Sequence, residues 1–516
     1  MGRWNMKKRI GIIDIGSNTV RVVVYEIDKG IFFRLIEDES IVVRLAEYEE
    51  KDRIPSYKVS LLIEVLNFFI GLCKMNGVAK QDILAVATAA IRDATNKMEV
   101  LENIKKYTEL EVRVLTEFEE AHYNLWATKC SLNYQDGLLV DIGGGSTEFV
   151  YFKDKNLKYW GSIKLGAVNC SKKISQISEP SLSLREVEAE VMSVFEKYKW
   201  MEELNNVNLI GIGGSIRNLG RIIQHKKDYP ITTLHNFAIS YQEFIEVYNM
   251  LQSVEVEKRK SIPGLSEKRA DIILGAFVIL KVLFDRIKAQ KLYVSSYGLR
   301  EGILFENLFK DANSAAFSSE ILLEYSINNY LNFFSFSKKH SKNVCRYALM
   351  LFDQLLLVFP HYFDKEDRII LKAAALLHDI GTYLSFYQHA QHSAYVILNL
   401  PLFGLSHQDI ILTAEIVSFH ENSKSKAPFL ARYIKVLSPD RVKKIKPLAL
   451  ILKLAEILDK RENGLVTSIR CSQECEKVVL RIYSKSNLEV EISLAERLKP
   501  QFEKIFGKQL IIKNNM

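Results

Sequence analysis

Two spacings of apolar residues alternate along the chain. Near the start, Ile10-Gly11-Ile12-Ile13 is an unbroken apolar run, which predicts a buried strand. Arg21–Tyr25 and Phe32–Ile36 follow after turn residues and predict two more. Between Val59 and Met75 the spacing changes. Leu62, Val65, Leu66, Phe69 and Ile70 recur at helical intervals and predict a helix with one buried face. Ile83–Ala87 reads as a strand leading into Thr88-Ala89-Ala90-Ile91-Arg92, and Val112–Leu115 as another. Thr116 is placed to cap a helix that begins near Glu117.

A second block repeats the opening. Leu138–Ile142 predicts a strand, Gly143-Gly144-Gly145-Ser146 a tight turn, and Glu148–Phe152 a returning strand. The first copy is Ile10–Ile15, Gly16-Ser17-Asn18 and Val20–Tyr25. Further on, Leu209–Ile212 runs into Gly213-Gly214-Ser215, and Leu292–Val294 into Ser295-Ser296-Tyr297-Gly298. Each pair predicts a strand followed by a helix. The apolar stretch Ala276–Phe284, bounded by charge, suits a buried helix.

After about Glu306 the pattern becomes helical through residues 319–463. Beyond residue 464 it changes again: Val478–Tyr483, Leu488–Ile492 and Leu510–Ile512 predict strands, and Ala495–Phe506 a helix. The fold class is therefore α/β. Two lobes over residues 1–127 and 128–308 precede a helical domain over 309–464 and a small α+β domain over 465–516. A length of 516 residues suits this, since a domain takes roughly 150.

Composition narrows the functional classes. With 48% hydrophobic and 26% charged residues, the chain is ordinary globular protein. No apolar run approaches the ~20 residues of a membrane span, and the N-terminus does not read as a signal peptide. The six cysteines form neither C-x-x-C pairs nor a dense framework, which predicts a reducing, cytoplasmic setting. The net charge of +8 suits a polyanionic partner. The basic runs Lys338–Lys342 and Arg441–Lys446 could equally be solvated faces.

The repeated turn carries the chemistry. Each strand end fixes one carboxylate, Asp14 in the first copy and Asp141 in the second. Glycines let the backbone turn tightly and bring N–H groups against an anion. Gly16, Ser17 and Asn18 in one turn, and Gly143, Gly144, Gly145, Ser146 and Thr147 in the other, are the candidate phosphate-binding residues. Two carboxylates beside a phosphate would repel it unless a divalent cation stood between them, so the pattern implies Mg²⁺ or Mn²⁺ at Asp14, Asp141 and Glu148. Arg92 could clamp phosphate oxygens or form a salt bridge between lobes. Thr88, Gly213, Gly214 and Ser215 are further candidates for phosphate.

Duplicated Asp-containing hairpins resemble those of actin, sugar kinases, acetate kinase and heat-shock ATPases. Within that superfamily, Asp141-Ile-Gly-Gly-Gly-Ser-Thr-Glu148 is similar to the signature of the exopolyphosphatase/guanosine pentaphosphate phosphatase family. So are Thr88–Asn96, Glu119-Glu120-Ala121, Gly213-Gly-Ser215, Pro263–Asp271 and Tyr297–Ile303, in family order over residues 9–305. The resemblance implies two actin-like (ribonuclease-H-like) lobes around a central cleft, and hydrolysis of a terminal phosphoanhydride by an activated water. Substrates would be inorganic polyphosphate or guanosine pentaphosphate. It also implies a homodimer, without a specific nucleic-acid partner or membrane. Glu119 and Glu120 point about 100° apart on a helix, so only one can face the cleft. The resemblance favours Glu120 as catalytic, with Glu148 sharing the work of orienting water. A sugar or acid kinase, and a non-catalytic polyphosphate or alarmone sensor, are the other classes that fit.

In the helical domain, Leu376-Leu377-His378-Asp379-Ile380-Gly381 looks like the His-Asp signature of metal-dependent phosphohydrolases. His340 and His420 lie on flanking helical stretches, and His389 and His392 in a further cluster. Glu456 stands where that signature expects Asp, with Asp459 one turn on. His340, His378, Asp379 and Glu456 are thus a candidate second metal site with an altered ligand set. The alternatives are satisfied histidines in a bundle, or a channel for a long anionic chain.

Overall fold

The computed structural model describes residues 7–29, 31–46, 52–176, 180–309, 318–334, 338–420 and 431–515. The chain divides into two compact units, Met1–Phe317 and Ser318–Met516.

The first unit contains two mixed sheets of one design. β1 (Lys8–Ile15), β2 (Thr19–Asp28) and β3 (Phe32–Val42) form an antiparallel meander. β4 (Ile83–Ala87) and β5 (Val112–Val114) add in parallel on the other side of β1, giving the order β3-β2-β1-β4-β5. The second sheet repeats this. β6 (Gly137–Ile142), β7 (Thr147–Lys153) and β8 (Asn156–Ile163) are the meander, β9 (Leu209–Ile212) adds in parallel, and β11 (Lys291–Val294) follows. β10 (Phe237–Ser240) extends the edge, so the order is β10-β11-β9-β6-β7-β8. The duplication legible in the two Asp-Ile-Gly turns is therefore a duplication of whole sheets.

Parallel strands need crossovers, and the helices supply them. Ser56–Met75 packs so closely on β1 that a Cβ at Gly11 would lie 2.7 Å from Cys73 Sγ. Ile273–Ile287 is buried on almost every face, as its apolar sequence demands.

The second unit opens with helices Ser319–Phe333, Lys338–Val358, Asp367–Leu377, His389–Asn399, His407–Ser418 and Pro439–Leu458. A three-stranded sheet follows: β12 (Val466–Glu474), β13 (Lys477–Ser484) and β14 (Gln509–Asn515). β12 and β13 are antiparallel, β13 and β14 parallel. The expected strand at Leu488–Ile492 is absent; Glu489–Glu496 is a helix. The alternation Leu488-Glu-Val-Glu-Ile492 is outweighed by Asn487, whose Oδ1 accepts from the Glu489 N–H at 3.0 Å, and by the crossover that parallel β13 and β14 require. The basic run Arg441–Lys446 is partly occupied internally: Arg441 pairs with Asp409, and Lys444 with Asp367 at 2.8 Å.

Candidate functional site

Two turns define the cleft. In the first, the Gly16 N–H donates to Thr19 O at 3.1 Å; in the second, the Gly143 N–H donates to Ser146 O at 3.0 Å. Both hairpins are closed by the same bond, and they meet. A Cβ at Gly144 would lie 3.0 Å from Ser17 Cβ, and one at Gly145 would lie 3.1 Å from Ser17 Oγ. Side chains on these glycines would crowd the opposite turn.

A cavity of about 320 Å³ opens here. Its wall includes Asp14, Gly16, Ser17, Asn18, Thr88, Glu120, Asp141, Gly143, Gly144, Ser146, Glu148, Gly213 and Gly214. Four other expected residues stand behind that wall. Gly145 packs on Ser17. Thr147 donates its hydroxyl to Leu165 O at 2.7 Å, and Ser215 is fully buried at the start of helix Gly214–Lys226. Arg92 bonds to Glu120 and donates to Leu115 O at 3.1 Å, so here it is a salt-bridge partner rather than an open clamp.

The helix Glu117–Ser131 decides between the two adjacent glutamates. Thr116 and Glu119 cap it reciprocally, and Glu119 also pairs with Arg113. That fixes Glu119 outside the cleft and turns Glu120, which is 7% exposed, into it. One turn on, Asn124 donates to Asp141 Oδ2 at 2.9 Å.

The carboxylates share a desolvated space. Across the second hairpin Asp141 pairs in register with Glu148; the equivalent pair in the first is Asp14 and Arg21. Burial, and then repulsion from Asp141, push Glu148 up to about 7, although Ser162 donates to it at 3.0 Å. Burial and Glu148 raise Glu120 well above the usual carboxylate range, with Arg92 opposing. Burial also raises Asp14 and Asp141. Asp14 accepts from Arg300 at 3.2 Å. Among the described residues, the second oxygen of Asp14 and that of Asp141 make no hydrogen bond. Of these four raised carboxylates, Asp14, Asp141 and Glu148, the two aspartates each with an oxygen to spare, fit a hard divalent cation.

Five arginines also line the wall: Arg21, Arg217, Arg221, Arg269 and Arg300. The side chain of Arg217 has no hydrogen bond or ion pair among the described residues. Burial, then Arg21, Arg300 and Arg269, push it down to about 9. Sequence reasoning gave these residues no role. Arg269 and Arg300 lay inside the quoted stretches 263–271 and 297–303, and Arg217 sits three residues past Gly214. Their convergence is tertiary and left no local signal.

The second unit gathers the histidines. His340 Nε2 and His378 Nε2 lie 3.7 and 3.4 Å from Asp379 Oδ2, and His389 Nε2 lies 3.4 Å from Asp379 Oδ1. His420 Nε2 lies 3.8 Å from Glu456 Oε2. Asp459 stands behind His340, accepting from or sharing a proton with its Nδ1 at 2.9 Å. His392 joins neither cluster of metal-binding geometry among the described residues.

Residues 23–311 match the Ppx/GppA phosphatase family, and residues 323–498 match Ppx/GppA phosphatase, domain III. A guanosine-5'-triphosphate,3'-diphosphate pyrophosphatase of Pseudoalteromonas translucida is 24% identical over 441 residues, covering 83% of this chain and 84% of that one. The crystal structure of the Aquifex aeolicus Ppx/GppA family member is 27% identical, with a TM-score of 0.50 over 60% of this chain and 100% of its own. An exopolyphosphatase from Cytophaga hutchinsonii shares the fold at 22% identity, with a TM-score of 0.53 over 60% of this chain and 99% of its own. With more than half of its residues, 23–311, in the first of these matches, the chain belongs to the Ppx/GppA phosphatase family.

Proposed function

We propose that the chain releases terminal orthophosphate from inorganic polyphosphate by attack of an activated water. The observation that carries this is the meeting of two glycine turns in one cavity that also holds Glu120, Glu148 and five arginines. Backbone N–H groups of the turns would grip the terminal phosphate, and the arginines would neutralise the phosphates behind it. Glu120 is the water-positioning base. Glu148, poised near neutrality, shares that proton. Arg92 holds Glu120 in aim and opposes its protonation. Thr88, Ser17, Asn18, Ser146, Gly213 and Gly214 would bind phosphate oxygens. Asp14, Asp141 and Glu148 would hold Mg²⁺ or Mn²⁺, which when bound draws charge from the phosphoryl oxygens.

The second reading is hydrolysis of the 5′ γ-phosphate of guanosine pentaphosphate, favoured by the name of the Pseudoalteromonas relative. The test is orthophosphate release with Mg²⁺ from long polyphosphate, guanosine pentaphosphate and ATP. Highest kcat/KM on polyphosphate supports the first reading, and on guanosine pentaphosphate the second. Transfer from ATP to an acceptor would make the chain a kinase, and binding without release a sensor.

The free cysteines support a cytoplasmic setting. No described helix is long and apolar enough to cross a membrane. Homodimerisation rests on the family resemblance, and sedimentation of the full chain tests it.

A further inference from the structure

Four histidines of the second unit, His340, His378, His389 and His420, share a feature that bundle packing does not require. Three are anchored in the same way, with Nδ1 against the carbonyl three residues earlier. His378 meets Ala375 O at 2.9 Å, His389 meets Phe386 O at 3.0 Å, and His420 meets Val417 O at 2.5 Å. A carbonyl only accepts, so Nδ1 must carry the proton, and the neutral ring presents a lone pair at Nε2. The fourth, His340, is held at Nδ1 by Asp459. That carboxylate is fixed in turn by the Gly464 N–H at 2.9 Å and by Asn343. Such outer hydrogen bonds set the tautomer and ring orientation of a metal-binding histidine.

The Nε2 atoms then converge on a carboxylate that cannot donate to them. His378 and His420 are 0% exposed, and the Nε2 of each is buried without a hydrogen-bond partner. Buried acceptors facing an anion are costly unless a cation lies between them. The ligand atoms form two groups, His340, His378 and Asp379, and Asp379, His389 and His420. Within each group all atoms lie within 4.8 Å of one another. That is the span of a single coordination sphere with bonds of about 2.0–2.2 Å. Asp379 belongs to both groups, turning Oδ2 to one and Oδ1 to the other.

We propose that unit 2 holds a dinuclear metal centre, with one ion on His340, His378 and Asp379, a second on Asp379, His389 and His420, and Asp379 as the bridge. Glu456, beside His420, completes the second position. This differs from the set expected from sequence, which lacked His389 and His420 and placed Glu456 in a single site. Imidazole-rich donors select a borderline transition ion such as Zn²⁺, Mn²⁺, Fe²⁺ or Co²⁺ over the hard cation suited to the carboxylates of the cleft. The Asp379 and Glu456 side chains are 24% and 20% exposed, so the buried histidines form the floor of a site reachable from solvent. Three or four protein ligands at each ion leave positions open, as in reactive rather than structural centres.

The test uses the full chain, stripped with chelator and titrated with Co²⁺ in excess Mg²⁺. Bound cobalt is measured by elemental analysis after desalting, and its ligand field by visible absorption. Two equivalents are expected for the parent, and about one for His420→Gln, with the visible bands reduced. The double variant His378→Gln/Asp379→Asn should retain fewer than about 0.3 equivalents. His389→Gln, at a less buried position, provides a second single-site variant, and far-UV circular dichroism verifies that each is folded. One equivalent or fewer in the parent, or undiminished cobalt in the folded double variant, overturns the proposal.

Discussion

The chemistry of the cleft depends on where a few protons sit. Glu148 keeps its proton to about pH 7 in the folded chain, against 4.5 for an ordinary glutamate. Between those values the folded state binds more protons than the unfolded one, so stability falls as pH rises and levels off above 7. Glu148→Gln should remove that slope and raise stability at pH 8 by about 1–3 kcal/mol, measured by urea denaturation. Glu120→Gln should lower kcat by about 10²-fold or more with KM little changed, measured by steady-state orthophosphate release. Parental turnover in that variant would remove Glu120 from the mechanism. Glu120, Asp14 and Asp141 were legible in the sequence because each lies within a short contiguous motif. Arg217, Arg269 and Arg300 were not, because each comes from a separate helix or turn and only folding brings them together.

At the scale of elements, the site hangs on one helix contact. The helix Leu299–Phe309 carries Arg300, which reaches Asp14, and Glu301, which accepts from Tyr25 Oη at 2.9 Å. The helix Glu117–Ser131 carries Glu120 and Asn124. The two touch at Gly302, where a Cβ would lie 1.9 Å from the Tyr123 carbonyl oxygen. Backbone cannot yield as a flexible side chain can. Gly302→Ala should therefore push the helices apart, cost about 1–3 kcal/mol or more in urea melts, and lower kcat/KM by disturbing both aspartates. Gly71→Ala is the control: its helix leaves nothing within 4 Å of the new methyl, so it should stabilise by about 0.5–1 kcal/mol. The duplicated hairpins were legible at this scale because strand, turn and strand are adjacent in sequence. Leu488–Ile492 misled because an alternating pattern of five residues fits a strand or a helix start. Only the parallel pairing of β13 with β14 decides between them.

For the molecule as a whole, a formal net charge of +8 says little, since few of the 70 basic and 62 acidic residues line the cleft. What matters is that folding gathers Arg21, Arg217, Arg269 and Arg300 around one cavity before any anion is present. Their mutual repulsion opposes the ligand-free fold, so an anion that binds there does so partly by relieving it. The described tryptophans, Trp126, Trp160 and Trp200, lie in the first unit, so their fluorescence reports its unfolding. Tripolyphosphate with Mg²⁺, at 100 times its Kd, should stabilise that transition by about 2.7 kcal/mol. In the absence of ligand, added NaCl should also raise its Tm by screening the arginines. Arg217→Met removes a buried cation whose side chain has no ion pair among the described residues, so the salt-induced rise should shrink and the ligand-free Tm should hold or increase. The tripolyphosphate shift should fall at the same fixed concentration, because the affinity is weaker. A tripolyphosphate shift as large in Arg217→Met as in the parent would mean that the anion binds away from these guanidinium groups.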